Sequence, residues 1–165
     1  MKKIMLFSSG VWIFLFAVFV FAENQVKGTF TVDGKPTEIT KVYAFAQKGF
    51  FDPAKDDVIV LMCDATVPDA GIRDYFERRD LVKAGKLHCV QQTINSEGQV
   101  INFKVEDSRF QMPESGGSTE QLFEKKTRDD KMIAGRAYTK SEQKSFEDIP
   151  YTYDITFTAA IEPKK

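Results

Sequence analysis

Apolar and polar side chains alternate with a period of two along much of this chain. Val26, Gly28, Phe30 and Val32 interleave with Lys27, Thr29 and Thr31, the pattern of a half-buried β-strand. Asp33-Gly34 supplies a turn pair that tolerates positive φ, and Lys35-Pro36 extends it. Residues 39–46 predict a strand that is apolar on both faces around Val42-Tyr43-Ala44-Phe45, and Val58 to Cys63 predicts a central strand rich in β-branched residues. Leu87 to Ile94 and Val100 to Val105 predict a hairpin around Asn95-Ser96-Glu97-Gly98. In its second arm Ile101, Phe103 and Val105 share one face, which suits an antiparallel sheet with a wet side. Tyr151, Tyr153, Ile155, Phe157, Ala159 and Ile161 give the cleanest alternation, and this strand is expected to pair with one over 132–138.

Between the strands the pattern weakens. Residues 69–84 predict the one helix, capped by Asp69, striped by Ile72, Tyr75, Phe76 and Val82, and stopped at Gly85. Glu77, Arg78, Arg79 and Asp80 are expected to face water. Residues 47–57 and 111–130 read as polar loops, the second long and Gly/Ser-rich. Seven strands with a single helix leave too few crossovers for a parallel α/β fold. The expected fold is mainly β: a two-layer antiparallel sandwich, immunoglobulin-like or a flattened barrel, with one short helical insert. The Cys…Trp…Cys arrangement of true immunoglobulin domains is missing, because Trp12 is the single Trp and lies near the N-terminus.

That N-terminus changes the picture. Lys2 and Lys3 precede an apolar run from Ile4 to Phe21 that ends at Val20-Phe21-Ala22 before polar Glu23-Asn24-Gln25. These are the three parts of a secretory signal peptide, with an uncleaved anchor as the alternative. The division expected is a signal peptide over 1–22 and one β-rich domain over 23–165, placed in the periplasm or secreted. Membrane contact is expected only through the signal segment if it stays uncleaved. Losing Lys2 and Lys3 reduces the 23 basic residues to 21 against 24 acidic ones, a formal charge of −3. Such a surface has no surplus of cations for a phosphate backbone, so nucleic acid is not an expected partner.

Cys63 and Cys89 are the two cysteines. Export favours a disulfide between them, tying neighbouring strands or facing sheets. Two buried free thiols are the alternative. His88, the single histidine, adjoins Cys89 but points to the opposite face of a strand. A Cys63–His88 pair oriented by Asp64 or Asp154 is conceivable, yet no spacing requires it. Cys63, Cys89, His88, Met62 and Met132 include soft ligands without metal-site spacing. Asp52, Asp56 and Asp57 lack the alternation of a calcium loop. Ser115 and Ser118 lie in no nucleophile-elbow motif. No catalytic residue, metal site or cofactor is therefore assigned. Phe146, Tyr151 and Tyr153 form a possible recognition surface, against a competing reading in which the tyrosines continue the core phase of Ile155 and Phe157.

Gly28-Thr29-Phe30-Thr31-Val32-Asp33-Gly34-Lys35-Pro36, with Val42-Tyr43-Ala44, Ile133-Ala134-Gly135-Arg136 and Asp148-Ile149-Pro150-Tyr151, resembles small β-sandwich domains of exported bacterial proteins. The resemblance implies a fold and a compartment, and no activity. The functional expectation is a non-catalytic binding or envelope-associated role toward a protein, peptide or glycan. The alternatives are a small secreted hydrolase using acidic residues or a metal, and a structural component of the cell envelope.

Overall fold

The last strand organises the molecule. In a computed structural model that describes residues 24–117 and 119–164, it runs for 13 residues, Pro150–Glu162 (β11). It pairs antiparallel with Gln25–Val32 (β1) and with Met132–Thr139 (β9). Its end then joins Lys41–Lys48 (β3) in parallel, Ile161 opposite Ala44. The predicted signal peptide over 1–22 lies outside the described residues.

Two layers grow from this strand. The first is completed by Lys35–Glu38 (β2) beside β1, Gln121–Arg128 (β8) beside β9, and the short Gln143–Lys144 (β10) beside β11. The second runs from β3 through Asp56–Cys63 (β4), Cys89–Ile94 (β5) and Val100–Glu106 (β6) to Glu114–Gly116 (β7). The path is one curled sheet, a half-barrel flattened into two layers. It is mainly β as expected, and of the two expected shapes the flattened barrel describes it. The parallel β11–β3 junction makes the sheet mixed, because β11 outlasts β1 and its freed edge takes a new neighbour.

Period-two burial fills the space between the layers. Phe30 and Val32 of β1 and Tyr151, Tyr153, Ile155 and Phe157 of β11 face Val42, Val58, Val60, Met62, Val90 and Val105 of the second layer. A smaller cluster lies on the other side of that layer: Leu61, Cys63, Cys89 and Leu87 with Val67 and Val82. The helical insert covers it. β4 and β5 are thus buried on both faces, which is why Val58–Cys63 is continuously apolar.

Three expectations need correction. The insert is two helices, Asp69–Arg73 (α1) and Tyr75–Lys83 (α2). Asp74 between them leaves the helical region and caps the second, accepting from Phe76 N at 2.8 Å; Asp69 makes no capping bond. Gly85 does end the insert, with φ 65°. Arg78 is buried and Phe76 exposed, opposite to the predicted stripe, because a carboxylate waits under the helix. The span 111–130 holds β7 and β8 rather than one long loop.

Candidate functional site

Cys63 and Cys89 occupy directly opposed positions on β4 and β5, with Cα atoms 4.3 Å apart, and are joined by a disulfide. Residues 64–88, the whole insert, lie between them, so the bond clasps its base. The ladder continues one step further: Asp64 N donates to His88 O at 3.2 Å, and His88 N donates to Asp64 Oδ1 at 2.8 Å. The rings of charge follow from this. His88 Nδ1 lies 2.7 Å from Asp64 Oδ2 and His88 Nε2 lies 3.8 Å from Asp107 Oδ2. Asp107 in turn accepts from Arg109 Nε at 2.7 Å, and the Arg109 guanidinium also donates to the Val32 carbonyl.

The hydrogen bond to Asp64 raises the His88 pKa above the usual imidazole value; burial works against it, and the charges of Asp64 and Asp107 reinforce it. Burial pushes Asp64 and Asp107 up, but His88 and Arg109 hold both below the ordinary carboxylate range. The geometry matters for chemistry. Asp64 orients the imidazole as a carboxylate orients a catalytic base. The other nitrogen faces a second carboxylate instead of a hydroxyl or thiol, and both cysteines are held in the disulfide. Asp154 is elsewhere, on Arg136 at 2.7 Å.

Tyr151 and Tyr153 are buried and face the space between the layers, so they do not form a surface. The reason is the inward phase they share with Ile155 and Phe157. Their hydroxyls enter an internal chain: Gln92 Nε2 donates to Tyr153 OH at 2.9 Å, Tyr153 OH to Gln121 Oε1 at 2.5 Å, and Gln121 Nε2 to Tyr151 OH at 3.3 Å. Burial pushes the Tyr151 hydroxyl up to about 12, with Glu114 adding to it, and raises Tyr153 as well. Phe146 alone of that set is exposed.

Two concavities lie at the opposite end of the molecule from the disulfide. The larger, about 540 Å³, is the mouth of the half-barrel. Ala46, Val58 and Ile161 form an apolar floor, and Lys55, Lys125, Arg128 and Lys164 stand around it with Asp56, Asp129 and Asp130. Two of the three acids have partners within the chain, and Asp130 has none among the described residues. Asp56 accepts from Lys164 Nζ at 2.7 Å, and Asp129 Oδ1 accepts from Lys131 N and Met132 N. Arg128 Nη2 donates to Asp56 O at 2.7 Å, while its Nη1 is buried with no acceptor among the described residues. Burial lowers the Arg128 pKa against the opposing pull of Asp57 and Asp56.

The second, about 320 Å³, is a groove on the outer face of the second layer. Thr93 of β5 is opposed to Asn102 of β6, Gln47 of β3 lies on the same face across β4, and Phe50, Ile101, Gly116 and Gly117 complete the groove. Phe50 belongs to a loop folded on itself. Gly49 N donates to Lys55 O at 2.9 Å, Lys55 N to Asp52 O at 3.0 Å, and Phe50 N to the buried Asp57 at 2.9 Å. A Cβ at Gly49 would lie 2.3 Å from the carbonyls of Asp52 and Lys55. The acids Asp52, Asp56 and Asp57 thus go to different partners and build this loop. Among the described residues no group of His, Cys, Asp and Glu side chains is arranged to hold a metal ion.

Neither concavity was found by sequence reasoning. The mouth has no local signal, since its residues converge from separate segments. The groove had one: Phe50-Phe51 is an aromatic pair inside a polar loop. Comparison with models of known protein families, with curated proteins and with solved structures finds no match. The resemblance to exported bacterial β domains therefore reaches no further than a mainly-β, half-barrel-like domain, whose arrangement is consistent with a non-catalytic binding role.

Proposed function

We propose that this protein is an exported, non-catalytic binding domain that holds a small amphipathic anion in the mouth of its half-barrel. The observation that carries the reading is the mouth itself: about 540 Å³, apolar at its floor and edged by Lys55, Lys125, Arg128 and Lys164. Ligand clefts of this size commonly sit at barrel mouths; this one is mostly charged, with Asp56, Asp129 and Asp130 beside the four cations, so its apolar contact is confined to the floor. An acyl or aryl body would cover Ala46, Val58 and Ile161. Its carboxylate would supply the acceptor that Arg128 Nη1 lacks, since a buried cationic donor without a partner is costly. Export is supported by the charged, apolar and small-residue pattern over 1–22 and by the Cys63–Cys89 disulfide. Binding is favoured over hydrolysis because His88, the residue best oriented for proton transfer, has carboxylates on both nitrogens.

The test is calorimetric titration with straight-chain monocarboxylates and with alcohols of matched length. The expected result is saturable carboxylate binding, with Arg128→Gln weakening it about tenfold, the scale of one charge-assisted hydrogen bond. Equal binding of alcohol and carboxylate, or no heat from either, would overturn the proposal.

A further inference from the structure

On the outer face of the second layer, the end beyond the helical insert is open. Gln47, Thr93 and Asn102 share that face, and Phe50 stands at its side. Phe50 and Phe51 are 77% and 73% exposed, in an edge-to-face pair with ring centroids 5.0 Å apart. Two adjacent phenylalanines held in water by a closed loop are a standing cost. Thr93 is the second observation. It is only 4% exposed and lines the groove, yet no described residue hydrogen-bonds its hydroxyl. The Thr93 hydroxyl opens into the groove rather than being sealed in, and the amides of half-buried Gln47 and exposed Asn102 stand beside it, free of hydrogen bonds among the described residues.

The lining selects a ligand class. It contains no charged side chain, which disfavours nucleic acid and ionic headgroups. Three polar side chains make a poor bed for a lipid tail. A peptide added to the open edge of β7 would be held by that strand's backbone and would leave the Gln47, Thr93 and Asn102 side chains unused. What remains is a neutral polyhydroxyl compound. Amides and a hydroxyl both donate and accept, as sugar hydroxyls require, and the negative face of an aromatic ring attracts the C–H bonds on the flat side of a pyranose. Gly116 and Gly117 add no side chain to block approach. We propose that this groove is a carbohydrate-binding site, with Phe50 as the stacking platform and Thr93, Gln47 and Asn102 as the hydrogen-bonding floor. It is separate from the barrel mouth and does not depend on how that site is used.

The experiment is saturation-transfer NMR and calorimetry on the folded, disulfide-bonded protein, with neutral β-linked glucose, mannose and N-acetylglucosamine tetrasaccharides as probes. At least one is expected to bind saturably. Phe50→Ala should weaken it about tenfold, and the near-isosteric Thr93→Val about threefold, as for one lost hydrogen bond. Phe146→Ala, which removes an equally exposed ring outside the groove, and Arg128→Gln in the mouth should leave binding unchanged; thermal unfolding reports whether each variant folds. Absence of transfer to all three probes overturns the proposal. So does binding that Phe50→Ala and Thr93→Val leave intact, or that Arg128→Gln removes.

Discussion

Along the outer face of the second layer, one end is sealed and the other open. At the sealed end α2 lays Arg78 onto β6, where Nε and Nη2 meet the Glu106 carboxylate at 2.8 and 2.5 Å and Nη1 meets the Gly71 carbonyl at 2.7 Å. Both side chains are out of solvent, at 1% and 0% exposure. The disulfide and the Asp64–His88 pair close the base of the same insert. At the open end the Thr93 hydroxyl lacks a partner among the described residues, two phenylalanines stand in water, and the mouth between the layers lies close by, with four cations and three acids around it. A β-sheet has the same backbone at both ends. What differs is that the buried Arg78–Glu106 pair is completed within the chain, whereas Arg128 Nη1 and the Thr93 hydroxyl are left without partners among the described residues beside a cavity; Arg79 Nε on α2 also lacks a hydrogen bond but lines neither concavity.

The contrast can be broken hardest at Arg78. Glu106→Ala would leave a buried guanidinium unpaired and should destabilise the protein by about 3–5 kcal/mol, measured by urea unfolding. A loss near zero would show that the insert is not held by this pair. The double variant Arg78→Met/Glu106→Leu sharpens the point, because apolar replacement of a whole buried pair often recovers stability.

Next comes the disulfide. Cys63→Ala/Cys89→Ala opens a loop of sequence separation 26 and should cost about 3–4 kcal/mol by chain entropy. Unchanged unfolding on reduction would contradict its role as a clasp.

The His88 cluster should show a smaller, pH-dependent effect. Its folded pKa is raised, so its contribution is complete below about 6.5, the unfolded value, and is lost as pH rises through the folded value. Asp64 and Asp107 are depressed, so theirs is present above about 3.8 and lost as pH falls through their lower folded values. The cluster is therefore strongest between those limits. Melting temperatures across pH should show His88→Gln losing most there and least in mild alkali; a pH-independent difference would remove the ionic account. The smallest effect belongs to the open end. Phe50→Ala and Lys125→Ala should each change stability by less than about 0.5 kcal/mol, as expected of residues not used in folding.

Much of the frame was legible. Alternation located β1, β6 and β11 because each has one apolar face, and hairpin partnership located β5 and β9. It failed at β8, where Leu122 and Phe123 are adjacent in an otherwise polar strand and Gln121 is buried by hydrogen bonds to tyrosine hydroxyls. It failed at β2, whose Pro36 is compatible with an edge position. Of the two readings of Tyr151 and Tyr153, the core reading holds and the surface reading does not. Tyr151 and Tyr153 suggest a wet face by their hydroxyls, but Gln92 and Gln121, distant in sequence, satisfy them inside.

Local order in the chain determined the strands with an apolar face or run, the turn chemistry and the candidate for a disulfide, since period, β-branching and cysteine count act on neighbours. Only the tertiary structure decided that Arg78 is buried, that Asp64 and Asp107 flank His88, and that Gln47, Phe50, Thr93 and Asn102 meet in one groove. Each of these depends on charge or hydrogen-bond complements supplied across the curled sheet, and no short window of sequence contains both halves of such a pair.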